Sequence, residues 1–278
     1  MINNLVNQTF HSTKINQVTY KKVLRILASA EPNGYRGIKC VPKSINMDFE
    51  RAIMNSFTYF WPNIQLRLCY FHLSQSWFRR IQKCKLFTQF VSKKEFHHIF
   101  KMCQALAYLP IDKVVDGFEI IKEKCPIYGL KFINYIQRNY IGCNGKPPHF
   151  AIKFWNIRER VLNNDQTTNN KQEQWHGAIT LETRRKLTVG MTIELFRNEQ
   201  ANMEKQLSRV LSGEILTKKP PKLQRNKDEQ IKNLVCSEIS DLGDYLSRLG
   251  NLLDIKIKND SILKQINNKR FYIINSMK

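Results

Sequence analysis

Residues 43–72 read KSINMDFERAIMNSFTYFWPNIQLRLCYFH, and their order decides the fold. The run KSINMD is extended and ends in Asp48. From there Phe49, Ala52, Ile53, Phe57 and Phe60 share one face of a helix, which Trp61-Pro62 stops. The next stretch alternates Ile64, Leu66 and Leu68 against Gln65 and Arg67, the period of a strand with one basic face. It leads directly into a helix that carries His72 and Trp77. Strand, helix, strand and helix in succession predict a parallel βαβ unit. Asp48 then falls at the carboxyl end of the first strand, the rim where open α/β sheets put their chemistry.

Working outward, residues 1–18 are polar and Asn-rich, a leader before a helix at 19–30 with Tyr20, Val23, Leu24 and Leu27 on one face. Residues 19–84 form the α/β core. From 85 to 165 the texture changes to short helices: one through Leu106 ending at Leu109-Pro110, one with Val114, Val115, Phe118 and Ile121, and one with Leu130, Ile133, Ile136 and Tyr140. This predicts an inserted helical module, whose aromatics and Trp155 read as core. Residues 166–215 return to the core through a helix capped at Asn169 or Asn170 and carrying Glu173 and His176. An amphipathic helix at 191–211 then places Ile193, Phe196, Met203, Leu207 and Val210 towards one side, and Gly213 ends it. The segment LTKKPPKLQRNKDEQIK reads as an exposed basic linker, followed by a helical stretch around 228–250, so that 216–278 is linker plus C-terminal helices.

Composition bounds the function. The 278 residues carry 45 Lys+Arg against 23 Asp+Glu, a formal charge of +22, which calls for an acidic partner. Nucleic acid is the first expectation and an anionic membrane surface the rival. No stretch reaches the roughly 18–20 apolar residues of a bilayer crossing, and the opening MINNLVNQTF has neither a basic nor an apolar signal region. Seven scattered cysteines with no CxxC pair argue for a reducing compartment rather than a disulfide scaffold. With 42% hydrophobic residues a folded core is expected, not a disordered chain.

The candidate chemistry is sparse. GCNGKPP matches neither nucleotide-loop pattern, and no GxSxG occurs. Cys69 and His72 form a C-x-x-H; a structural zinc site needs four ligands and no second pair stands at that spacing, so packing or hydrogen bonding is the leading reading. His97-His98 reads as a solvated helix face. Asp48 taken alone reads as a helix N-cap, and Glu173 as a first-turn acid favoured by the helix dipole.

The ordered string SINMDFERAI, LCYFHLSQSWFRRIQ, a helical stretch closing in ALAYLP, a Trp, and TTNNKQEQWH resembles the Mutator-like element (MULE) transposases, over about residues 15–215. The resemblance implies a helix-rich α/β fold: a partial ribonuclease H-like core interrupted by an all-helical insertion, with additional C-terminal helices. It implies that Asp48 is the family's second catalytic aspartate, that Cys69 and His72 are its C-x-x-H pair, and that Glu173 is its glutamate, with Glu182 and Glu194 as alternatives. It implies Mg²⁺ or Mn²⁺ held by Asp48 and Glu173, transposon and target DNA as partners, a homo-oligomer, a nuclear location and no membrane. Two divalent ions and three carboxylates suit phosphodiester cleavage and strand transfer.

The family's first aspartate lies in an upstream D-G-T-F-like strand, whereas Asp48 is the first aspartate of this sequence. The expectation is therefore an N-terminally truncated chain with two of three metal ligands and little or no nuclease activity alone. The alternative is a non-catalytic DNA-binding or protein-interaction module. The basic residues expected at nucleic acid are Arg67, Arg79, Arg80, Arg184, Arg185, Lys218, Lys219 and Lys222, each of which also reads as a solvated charge. A helical RNA binder is the third reading.

Overall fold

A computed structural model of the chain describes residues 17–29, 42–143, 145–165, 167, 188–214 and 221–253. Helix α1, Gln17–Ser29, buries Tyr20 and Leu24, one turn apart, as its apolar spacing predicts. Strand β1, Ser44–Met47, follows. Helix α2, Arg51–Phe60, buries Ile53, Met54 and Phe57, and Trp61 leaves the helical region before Pro62. The hydroxyl of Ser56 on α2 donates to the Gln17 carbonyl at 3.3 Å, tying α2 to the start of α1.

Strand β2, Gln65–Leu68, pairs with β1 in parallel, Ile45 opposite Leu66 and Met47 opposite Leu68. The ladder runs one bond past each end: Gln65 N–H to the Lys43 carbonyl at 3.0 Å, and Cys69 N–H to the Met47 carbonyl at 2.9 Å. A parallel pair needs a crossover of about a dozen residues or more, and α2 supplies it. Among the described residues the sheet has these two strands, so the molecule is helix-rich with a small parallel sheet.

Helix α3, Tyr70–Lys83, rises directly from β2 and buries Phe71, Leu73, Trp77, Phe78 and Ile81. Then come α4, Phe87–Ser92; α5, Lys94–Ala105; α6, Val114–Lys124; α7, Leu130–Ile136, prolonged by a π-turn at Gln137–Ile141; α8, Ile152–Trp155; and α9, Arg158–Leu162. Their core is aromatic. Phe90 meets Phe78 and Phe100 edge-on at 5.4 and 5.3 Å, and Trp77 meets Trp155 at 6.2 Å. Such edge-to-face pairs suit rings whose faces are negative and edges positive.

The chain divides into two units, Met1–Asn169 with Gln230–Lys278, and Asn170–Glu229. In the second, α10, Val189–Leu211, is capped by the Thr188 hydroxyl, which accepts from Met191 N–H at 3.3 Å. Gly213, at φ +90, ends it as expected, since a positive φ suits glycine. Its Ile193, Met203, Leu207 and Val210 are exposed.

Two sequence expectations need correction. The basic stretch read as a linker is helical from Lys222 onward: α11 spans Lys222–Cys236, and its early N–H of Arg225 bonds the Pro221 carbonyl at 3.1 Å. Gln, Lys, Arg and Leu after the Pro-Pro step are strong helix formers, and Pro marks the start of a helix as readily as a loop. The last helical stretch is thus two elements, α11 and α12, Leu242–Leu252, parted by Ser237–Asp241.

His97-His98 is also not a solvated face. The His97 ring packs 4.9 Å from that of Phe90, and His98 Nε2 lies 2.9 Å from the Ser247 hydroxyl of α12. The helix that covers this face lies far along the chain, beyond the reach of local periodicity. At Gly250 of α12 an added Cβ would stand 3.2 Å from the Lys101 carbonyl carbon and 3.3 Å from Met102 N, so α12 seats backbone-close on α5. The helical module is therefore assembled from residues 85–165 and the C-terminal helix together. No described helix is long and apolar enough to cross a membrane.

Candidate functional site

The carboxyl ends of β1 and β2 carry Asp48 and Cys69, and α3 begins at the same rim. Asp48 does not cap α2: the cap position is Glu50, which makes no side-chain cap bond. Instead Asp48 turns to α3, where its Oδ1 lies 2.9 Å from Nδ1 of His72. The two members of the C-x-x-H are joined as well, Cys69 at the cap position of α3 hydrogen-bonding the His72 side chain one turn on. Cys69 is buried and the His72 side chain is 19% exposed, whereas that of Asp48 is 45% exposed, so the cluster is packed into the rim and opens to solvent at the carboxylate.

The electrostatics follow from that geometry. Burial opposes charge on His72, but the Asp48 carboxylate and Cys69 outweigh it and push its pKa up to about 10. Glu50 is raised by burial and by the neighbouring Asp48, partly offset by the Tyr20 hydroxyl, which donates to its Oε2 at 3.1 Å. Tyr20 in turn is raised by burial and by Glu50. A carboxylate pair, an imidazolium and a phenol thus share this edge.

A second group closes the other side of the rim. Arg160 of α9 is buried and donates through Nη2 to the Leu68 carbonyl at 2.9 Å. Burial and the nearby Arg67 push its pKa down to about 10. Tyr70 N–H donates to the Thr167 carbonyl at 3.1 Å, so the chain reaches α3's amino end at the first residue of the TTNNKQEQWH run. Sequence reasoning missed Arg160, since nothing in a short RERV helix marks an arginine for burial, and the Tyr20 hydroxyl, since the helix face explained its ring.

The expected DNA-contacting residues separate. Arg67 is half-buried and paired with Asp165 at 3.0 Å, which occupies its head group. Arg79 is exposed, Arg80 lies over the Tyr135 ring at 4.8 Å, and Lys222 is exposed at the start of α11. Glu173, Glu182, Arg184, Arg185, Lys218 and Lys219 lie outside the described residues, as do Trp175 and His176. Glu194 lies on α10 and is exposed.

Mg²⁺ and Mn²⁺ take hard carboxylate oxygens. Among the described residues no group of three or more His, Cys, Asp or Glu side chains is arranged to hold a metal ion. At the rim Asp48 already faces a cation, His72, and Glu50 accepts from Tyr20. The described residues by themselves do not fit a two-ion centre; at this rim Cys69 is buried and His72 Nδ1 stands 2.9 Å from Asp48 Oδ1. No family model, curated protein or solved structure matches the chain.

Proposed function

We propose that this chain derives from the Mutator-like transposases and binds DNA, with its βαβ unit belonging to a ribonuclease H-like core. The observation that carries the reading is the Asp48–His72 contact. The aspartate of SINMDFERAI and the histidine of the C-x-x-H come from two separate motifs of the resemblance and meet at one strand rim. The Thr167 contact with α3 supports it further. In the family, Asp48 and Glu173 would be two of the three carboxylates that hold divalent ions for cutting and strand transfer of nuclear DNA. A second reading, a non-catalytic DNA-binding or protein-interaction module, is favoured by one observation: His72 Nδ1, on a side chain whose pKa is raised, stands 2.9 Å from Asp48 Oδ1 where a metal ion would have to bind.

Incubating the purified chain with supercoiled plasmid, with and without Mg²⁺ or Mn²⁺, tests both. Salt-dependent DNA binding with little or no nicking is the expected result. Metal-dependent nicking that Asp48→Asn abolishes would establish a working nuclease and remove the non-catalytic reading. Absence of DNA binding at low salt would sink both.

A further inference from the structure

Helix α3 turns a stripe of side chains, Ser76, Arg79, Arg80 and Lys83, towards Tyr135 of α7, and these five line a cavity of about 230 Å³. The spacing i, i+3, i+4, i+7 puts them on one face of the helix. Arg80 is held in place by the Tyr135 ring beneath its guanidinium, yet its Nε is buried and has no hydrogen-bond partner. Such an unmet donor on a charged group is costly. At the cavity floor the Ser76 hydroxyl lies 3.3 Å from the Tyr135 hydroxyl and 3.1 Å from that of Tyr140.

Among the described residues no carboxylate pairs with Arg79, Arg80 or Lys83. By contrast, Arg67, Arg209 and Arg248 each meet one, Asp165, Glu214 and Asp244. Three like charges around one cavity repel one another, and the group that relieves both the repulsion and the unmet Nε–H is an oxygen-rich anion. Guanidinium forks and an ammonium arranged around a hydroxyl suit acceptor oxygens that point in several directions, as in a tetrahedral phosphoryl group, better than the two coplanar oxygens of a carboxylate. The volume admits a phosphoryl group with attached atoms, given about 30 Å³ for one water in the liquid.

We propose that this cavity is a phosphate-binding pocket, with Arg80 as its fixed donor and Arg79 and Lys83 as its outer cations. Its occupant is either a backbone phosphodiester of nucleic acid or a free phosphate. The first source rests on the DNA reading above; the pocket itself does not. Arg80 and Lys83 also stand in the last turn of α3, where cations suit the helix dipole. That role would affect stability alone and predicts no loss of ligand.

The test uses the full chain, the double variant Arg79→Gln/Lys83→Gln at two exposed positions, and a charge-matched control, Lys93→Gln/Lys94→Gln, on the exposed start of α5. Inorganic phosphate binding is followed by calorimetry. Binding of a mixed-sequence DNA duplex is followed across about 50–200 mM salt. Saturable phosphate binding that the pocket variant weakens at least about fivefold, with the control unchanged, supports the pocket. A DNA salt slope lowered by about one to two, again in the pocket variant alone, assigns it to backbone phosphate. Loss of phosphate binding with an unchanged DNA slope assigns it to a free phosphate. No phosphate binding by the unsubstituted chain together with an unaltered DNA slope overturns the pocket, and so do equal losses in pocket and control variants. A chain that takes phosphate and no DNA keeps the pocket and removes the transposase reading.

Discussion

His72 Nδ1 stands 2.9 Å from Oδ1 of Asp48, joining the first turn of α3 to the residue that follows β1. With Cys69 on the same imidazole, the contact ties both strand ends to the helix that follows them. A strand pair this short depends on such ties at its rim.

Because Asp48 and Cys69 outweigh burial and hold the His72 pKa up at about 10, the folded chain keeps a proton that the unfolded chain gives up near its ordinary value of about 6.5. The stability this contributes is fully present below about pH 6.5 and is lost as pH rises through about 10. Denaturant midpoints should therefore fall across that alkaline window, and His72→Gln should flatten the fall. A slope that survives the substitution unchanged would place its origin elsewhere.

At neutral pH, His72→Ala is expected to cost about 1 kcal/mol in urea unfolding, the low end for a charge-assisted bond because the Asp48 side chain is 45% exposed and water screens it. A loss within experimental error would remove the rim tie from the account.

His98 titrates in the opposite direction. Burial, with Lys101 and Lys124 nearby, lowers its pKa, so the stability its neutral form contributes is present above about pH 6.5 and lost as pH falls through the lowered value. His98→Gln, which keeps a polar partner for Ser247, should lessen the acid-side drop in thermal midpoint. Equal acid sensitivity in both proteins would contradict this.

Gly250→Ala should destabilise by about 1–3 kcal/mol although alanine is the better helix former, because the new methyl meets the backbone of Lys101 and Met102 rather than a yielding side chain. A neutral or stabilising result would show that α12 can lift from α5 without loss.

Arg67, paired with Asp165, should matter little to DNA binding. Arg67→Gln is expected to leave the salt slope almost unchanged, while Asp165→Asn, which releases the guanidinium, should tighten binding by about two- to fivefold at low salt. An equal loss for Arg67→Gln and Lys222→Gln would show that the ion pair opens on DNA.

Much of the βαβ unit was legible because its signals are local: alternation through Ile64, Leu66 and Leu68, a one-sided helix from Ile53 to Phe57, and a Pro stop at Pro62. The helical texture of 85–165 and the burial of Trp155 were legible for the same reason. Asp48 was singled out only by a resemblance, and the N-cap reading of its surroundings proved wrong, since Glu50 holds the cap position. Lys222 and its neighbours were misread because Pro-Pro and dense charge resemble a linker until a helix start is considered.

The sequence by itself determined the basic character, the strand–helix–strand order and the faces of the single helices, since each depends on residues a few positions apart. The tertiary structure alone decided that His72 meets Asp48, that α12 covers His98, that Arg67 is spent on Asp165, and that Arg79, Arg80 and Lys83 share a cavity with Tyr135. These are meetings between distant parts of the chain. They follow from how apolar faces pack against one another, and a single sequence shows which faces exist without showing which of them meet.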